Sequence, residues 1–150
     1  MKAVLQRVLN SNVKIDGKIA GEVEKGYMIL LGVADGDTKE DADWLLKKIP
    51  TLRVFEDDNG KMNRSCLDVD GEILVISQFT LLADCAHGRR PSFTKSAPPN
   101  IANELYEYFV EGLKQAGIKK VATGVFGADM KVSLVNDGPV TILLDSKEQK

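Results

Sequence analysis

The sequence predicts an α/β fold with a mainly β core and two covering helices. Three observations predict it. Short apolar segments bounded by turn residues recur along the chain, two further segments carry helical apolar spacing, and the composition is that of an ordinary globular chain. With 150 residues, 43% of them hydrophobic and 28% charged, the chain is expected to form one domain, 1–150, with a core of its own.

The elements follow in order. Ala3, Leu5 and the Val8–Leu9 pair roughly alternate with polar neighbours, and Val13 and Ile15 continue the pattern. Asp16-Gly17 is a turn dipeptide, so Ile19 to Val23 is expected to return as a hairpin arm. Gly26 opens the run YMILLGV, which is short and bounded by glycines and so fits a buried strand. Thr38 is expected to cap a helix with its hydroxyl, with Glu40 and Asp41 at the positive end. Ala42, Leu45, Leu46 and Ile49 form its apolar stripe, with Trp44 beside it, and Pro50 ends it. Leu52 to Phe55 and Glu72 to Ser77 read as strands around the turn cluster Asp57 to Gly60. A second helix follows Pro98-Pro99-Asn100, with the stripe Ile101, Leu105, Tyr108, Phe109 and Leu113 and a stop at Gly117. Ile118 to Thr123, Met130 to Val135 and Val140 to Leu144 are expected as the last strands, the final two separated by Asn136-Asp137-Gly138-Pro139.

Composition removes several function classes. Twenty Lys and Arg against 22 Asp and Glu leave a net charge of −2, which excludes a globally basic nucleic-acid coat but not a local patch. One histidine, His87, excludes a multi-histidine metal site. Cys66 and Cys85 have neither metal nor CxxC spacing, so no metal and no cofactor are expected, and the cysteines fit a reduced cytoplasmic setting. The opening MKAVLQRVLN alternates rather than forming a signal-peptide core, and no run is long enough to span a membrane. P-loop, GxGxxG, HExxH and GxSxG patterns are absent.

Four segments carry possible chemistry. Ser77-Gln78-Phe79-Thr80 closes the most apolar strand, where polar side chains need partners from protein or ligand. Gly138-Pro139 removes a donor between strands and can project bare carbonyls. In Thr123 to Met130, two glycines flank Phe126 and let backbone approach a ligand. The stretch Leu82 to Asn100 is a long loop, and loops of that length are usually functional. Within it, Arg89, Arg90 and Lys95 can neutralise phosphates, with no acid from Ala86 to Lys95. Each segment alone also reads blandly: a satisfied strand end, a tight turn, a turn plugged by Phe126, a solvated loop.

Together, SQFTL at 77–81, GRRPSF at 88–93, TGVFGADM at 123–130 and NDGPVT at 136–141 resemble the D-aminoacyl-tRNA deacylases of bacterial and eukaryotic type. The resemblance runs from MKAVLQRV to VTILLDS, nearly the whole chain. It implies that family's fold, with a barrel-like core. It implies hydrolysis of the ester joining a D-amino acid to the terminal ribose of tRNA, activity on mischarged glycine, and hence proofreading of translation. It further implies a homodimer in which a cis Gly138-Pro139 pair enters the partner's active site. Ser77, Gln78, Phe79 and Thr80 would be the catalytic lining, with Phe126 and Met130 nearby and Arg7 supporting the Gly-Pro segment.

Such a site would recognise the ammonium common to all substrates through rigid carbonyls and reject an L side chain by a clash with proline. Glycine, lacking a side chain, would pass. Backbone N–H groups around Phe79 and Thr80 are candidates for holding the oxyanion. Two routes to the nucleophile stay open: direct attack by Thr80, or water assisted by the ribose 2′-hydroxyl. The second suits a chain with so little acid–base machinery. A non-catalytic tRNA-binding module using the Arg89–Arg90 loop, and a structural dimer sealed by the Gly-Pro turn, are the rival functions.

Overall fold

In the computed structural model, which describes residues 1–148, eight strands and two α-helices follow one another along the chain. The strands are β1 (Lys2–Ile15), β2 (Lys18–Val23), β3 (Gly26–Gly32), β4 (Phe55–Glu56), β5 (Met62–Arg64), β6 (Glu72–Ser77), β7 (Val121–Thr123) and β8 (Lys131–Asp145). The helices are α1 (Lys39–Lys48) and α2 (Pro99–Gln115). The main sheet runs β2-β1-β3-β6-β7, with β8 on the free side of β1, while β4 and β5 form a small hairpin. Pairing is antiparallel among β1, β2, β3 and β8, and parallel from β3 through β6 to β7.

The hairpin turn is where expected. Asp16 and Gly17 both have positive φ, 51° and 78°, which matches the twist of the strands they join. The sheet curls until β2 meets β7: a Cβ on Gly21 would lie 2.5 Å from the Thr123 carbonyl oxygen. Only a residue without a side chain allows that approach, and it nearly closes the sheet into a barrel.

The sheet separates two apolar clusters. Leu5, Ile29 and Val75 pack with Leu45 of α1 and Leu105 and Phe109 of α2 on one side. Val8, Val13, Met28, Leu74 and Ile76 pack inside the curl. β3 and β6 therefore bury both faces, which is why they read as unbroken apolar runs. β1 changes cluster midway, from Ala3 and Leu5 to Val8 and Val13.

That change coincides with a departure from the expected last strands. Gln6 pairs with Thr141 and Val8 with Asn136, so residues 137–140 all stand opposite Arg7. The chain does not reverse there. Both flanking segments run along β1 in one direction, and Asn136-Asp137-Gly138-Pro139 belongs to a wide bulge in a single strand rather than to a turn between two.

Other differences are local. Leu52 to Val54 is irregular, and only Phe55–Glu56 pairs; the Val54 carbonyl accepts a bond from Arg7 instead of joining a ladder. The strand after α2 is confined to Val121–Thr123, with Ile118 buried ahead of it. α2 is rotated from the expected stripe. It buries Ala102, Tyr106 and Val110 together with Leu105, Phe109 and Leu113, and leaves Ile101 42% exposed. The buried Tyr106 hydroxyl donates to the Val75 carbonyl at 2.7 Å, which removes the cost of hiding it.

At the start of α1, Asp41 reaches back to accept the Thr38 N–H at 2.9 Å. The same carboxylate accepts the Ser146 hydroxyl at 2.7 Å and lies 3.1 Å from Lys147 Nζ. The Met1 amine sits between Asp37 and Ser146 at 2.7 and 2.8 Å. Burial raises the Asp41 carboxyl, but the Thr38, Ser146 and Lys147 bonds and the Met1 amine outweigh it and hold it at about 2. A carboxylate lowered on folding stabilises above its unfolded pKa and loses that contribution as pH falls through the folded one. Wild type is therefore expected to lose about 2 kcal/mol through this group between about pH 4 and pH 2. Asp41→Asn should be less stable at neutral pH with a flatter acid limb. Urea unfolding across that range checks it; parallel acid limbs would contradict it.

Candidate active site

β3, β6 and β7 are parallel, and all three end on the same side of the sheet. A cavity of about 290 Å³ opens there, with Leu31 and Val33 from β3 and the residue run after it, Ser77 from the end of β6, and Tyr106 from α2 along its wall. The chain leaves β6 through Gln78, whose N–H donates to the Leu31 carbonyl at 2.8 Å. It then enters a 3-10 turn at Phe79–Leu82. The first N–H groups of such a turn have no partner within it. Among the described residues the Phe79 and Thr80 N–H groups donate no backbone hydrogen bond, and Phe79 lines the cavity. Gln78 points its side-chain amide at the Thr80 hydroxyl and donates to it.

Phe126 and Met130 line the same cavity, on the segment after β7. Phe126 lies 6.3 Å from the Tyr106 ring, centroid to centroid. Burial pushes the Tyr106 phenol up to about 12, so it is a neutral wall residue and donor. Asp129, also at the cavity, is paired with Lys131 at 2.7 Å. Among the described residues no group of three or more His, Cys, Asp or Glu side chains converges as a metal site. Nor is any described helix long and apolar enough to cross a membrane.

Ser77, Gln78, Phe79, Phe126 and Met130 are thus brought together, with Thr80 attached through Gln78. Gly138 and Pro139 are not. They are exposed on the β8 bulge and do not line this cavity. The bond between them is cis, and Gly138 has φ +128°. Arg7 lies beneath at 4% exposure. Its Nε donates to the Asp137 carbonyl at 3.1 Å and its Nη1 to the Val54 carbonyl at 2.6 Å. The carboxylates of Asp137 and Glu56 stand 3.6 and 3.9 Å from the guanidinium.

A second clasp was not evident from the sequence. Asn136 accepts the Val140 N–H at 3.0 Å and donates to Gln6 Oε1 at 2.7 Å, and the Thr141 hydroxyl donates to the same Gln6 oxygen. The available signal was an asparagine heading a Gly-Pro segment, since its side chain readily closes a turn on nearby backbone. Tyr106 was missed for a different reason: it lies one position off the stripe expected for α2.

Arg89 and Arg90 sit at an exposed loop tip beside Gly88, apart from the cavity. Lys95 is at the loop base, 3.5 Å from Asp84. Among the described residues neither arginine has an ion-pair partner.

The family model described as D-Tyr-tRNA(Tyr) deacylase matches residues 4–145, a span that holds the cavity, the bulge and Arg7. The chain belongs to that family. Among curated relatives of the deacylase family, a D-aminoacyl-tRNA deacylase of Thermosipho africanus is 58% identical over 148 residues, covering 99% of both chains. One of Geotalea uraniireducens is 57% identical over 150 residues, covering all of this chain and 96% of its own. A solved structure titled c-Myc DNA Unwinding Element Binding Protein superposes on this deacylase-family chain with a TM-score of 0.91 at 39% identity, covering 97% of this chain and 98% of that one. A second solved structure, described as a probable eukaryotic D-amino acid tRNA deacylase, has a TM-score of 0.82 at 16% identity and shares the fold.

Proposed function

We propose that this chain hydrolyses the ester of D-aminoacyl-tRNA, and of glycine mischarged on tRNA, while sparing L-aminoacyl esters, and so proofreads translation in the cytoplasm. The observation that carries this reading is the division of the site. The cavity of Ser77 to Phe79, with Thr80 tied to it through Gln78, offers polar groups, and the segment suited to chiral selection is held outside it by Arg7 and Asn136. Two copies related by a twofold axis would complete each other, each Gly138-Pro139 segment entering the other's cavity. Exposed Val135 (46%) and Leu143 (71%) on β8 would flank that contact. The segment's carbonyls take the substrate ammonium, and Pro139 excludes an L side chain by contact.

The Phe79 and Thr80 N–H groups stabilise the developing oxyanion. Thr80 is not the nucleophile in this reading. Its hydroxyl receives a hydrogen bond from Gln78, whereas a nucleophile needs a base to take its proton. The substrate's 2′-hydroxyl instead assists water, and the protein positions the ester. Arg89, Arg90 and Lys95 contact tRNA phosphates.

Release of D-tyrosine from charged tRNA, with the L ester as control, tests the activity. Thr80→Ala tests the route. It should keep kcat within roughly tenfold of wild type, whereas removing a true nucleophile costs on the order of 10⁴-fold or more. Thr80→Ser serves as the conservative control. A collapse with Ala and full activity with Ser would establish the covalent route instead.

A further inference from the structure

Phe79 stands at the cavity mouth and remains 57% exposed. Phe93 meets it edge to face, with ring centroids 5.0 Å apart and planes at 68°. Phe93 comes from the long loop, which is tied to the site at both ends. Asp84 and Ser92 exchange backbone hydrogen bonds of 2.7 and 2.9 Å, and the Ser96 hydroxyl donates to the Phe79 carbonyl at 3.4 Å. Beyond this tie the loop carries Arg89 and Arg90 at its exposed tip, with no acidic residue from Cys85 to Ser96.

An exposed ring backed by a half-buried one, on a loop that carries unpaired arginines, is the composition of a single-strand platform. Bases stack on aromatic rings, and arginines meet the phosphates that link them. We infer that the Phe79–Phe93 pair stacks an unpaired nucleotide adjoining the esterified terminal one, with Arg89 and Arg90 on the phosphates behind it. The inference rests on the proposed reading that the cavity holds the aminoacylated 3′ end. The occupant is the single-stranded 3′ end of tRNA, because the platform is continuous with the cavity through Phe79 and the adjoining loop is cationic. The loop would thus couple binding of the unpaired end to placement of the ester.

The experiment compares wild type, Phe93→Ala and Phe93→Tyr on two substrates, D-tyrosyl-tRNA and D-tyrosyl-adenosine. The nucleoside ester fills the cavity but has no adjoining nucleotide. Phe93→Ala should raise KM for the tRNA ester by about tenfold, leave the nucleoside ester unchanged, and be rescued by Phe93→Tyr. Equal effects on both substrates, no effect on either, or failure of tyrosine to rescue would overturn the platform. Titration of an uncharged ACCA oligonucleotide gives a separate readout, in which Phe93→Ala should weaken binding by a similar factor. If wild type hydrolyses neither ester, the proposed function fails, and the oligonucleotide titration still decides the platform. A fall from dimer to monomer in Phe93→Ala would instead assign the ring to a contact between copies and overturn it.

Discussion

Gly138→Ala is expected to lower kcat/KM for D-tyrosyl-tRNA by roughly 10- to 100-fold with a much smaller loss of stability. Gly138 has φ +128°, which L side chains rarely adopt. An added Cβ would lie 2.9 Å from Val140 Cγ2 and 3.0 Å from Arg7 Nη2. Backbone strain of this kind costs on the order of 1–3 kcal/mol. The bulge can relieve it by moving outward, because both residues 138 and 139 are exposed. Such a shift leaves the cores intact but misplaces the carbonyls that the proposed function assigns to the substrate ammonium, and a 1 Å error in placement costs about 10²-fold in rate. Steady-state kinetics with thermal unfolding separates the two effects. An alanine variant with wild-type kcat/KM would show that the segment's placement does not matter.

Arg7→Ala carries the second large effect, on both stability and selectivity. The guanidinium bonds the Val54 and Asp137 carbonyls from a buried position. Truncation strands two carbonyls and opens a void, at a cost of about 3–5 kcal/mol. Arg7→Lys should recover part of the stability but little of the selectivity. A lysine is a point donor, and it cannot span two carbonyls as a planar fork does. The expected signature is a D-to-L rate ratio that falls by roughly tenfold or more in the lysine variant while its thermal midpoint approaches wild type. A lysine variant with an undiminished ratio would remove Arg7 from the selection machinery.

The sequence made legible whatever depends on local pattern. The Asp16-Gly17 hairpin, the strand Glu72–Ser77 and the two helices follow from turn chemistry and apolar spacing. The segments 77–80, 123–130 and 136–141 were visible because polar residues, paired glycines and a Gly-Pro pair interrupt those patterns. What was not legible depends on pairing. Whether 136–139 is a hairpin turn or a bulge is decided by β1, which holds both flanking segments in one direction. The rotation of α2 is likewise decided by the sheet beneath it, where the Val75 carbonyl draws in Tyr106. The Gln6–Asn136–Thr141 clasp joins residues about 130 apart in the chain, and no local signal reaches that far.

The proposed function places chiral selection on main-chain groups rather than on a side-chain acid–base pair, and it is supported by family membership and by a cavity lined mainly by apolar side chains. The most direct measurement charges one tRNA with D-tyrosine, L-tyrosine or glycine and follows initial hydrolysis at one enzyme concentration. Hydrolysis of the D and glycyl esters with the L ester intact is the predicted result. Equal hydrolysis of the D and L esters, or release of neither D-tyrosine nor glycine, would contradict it.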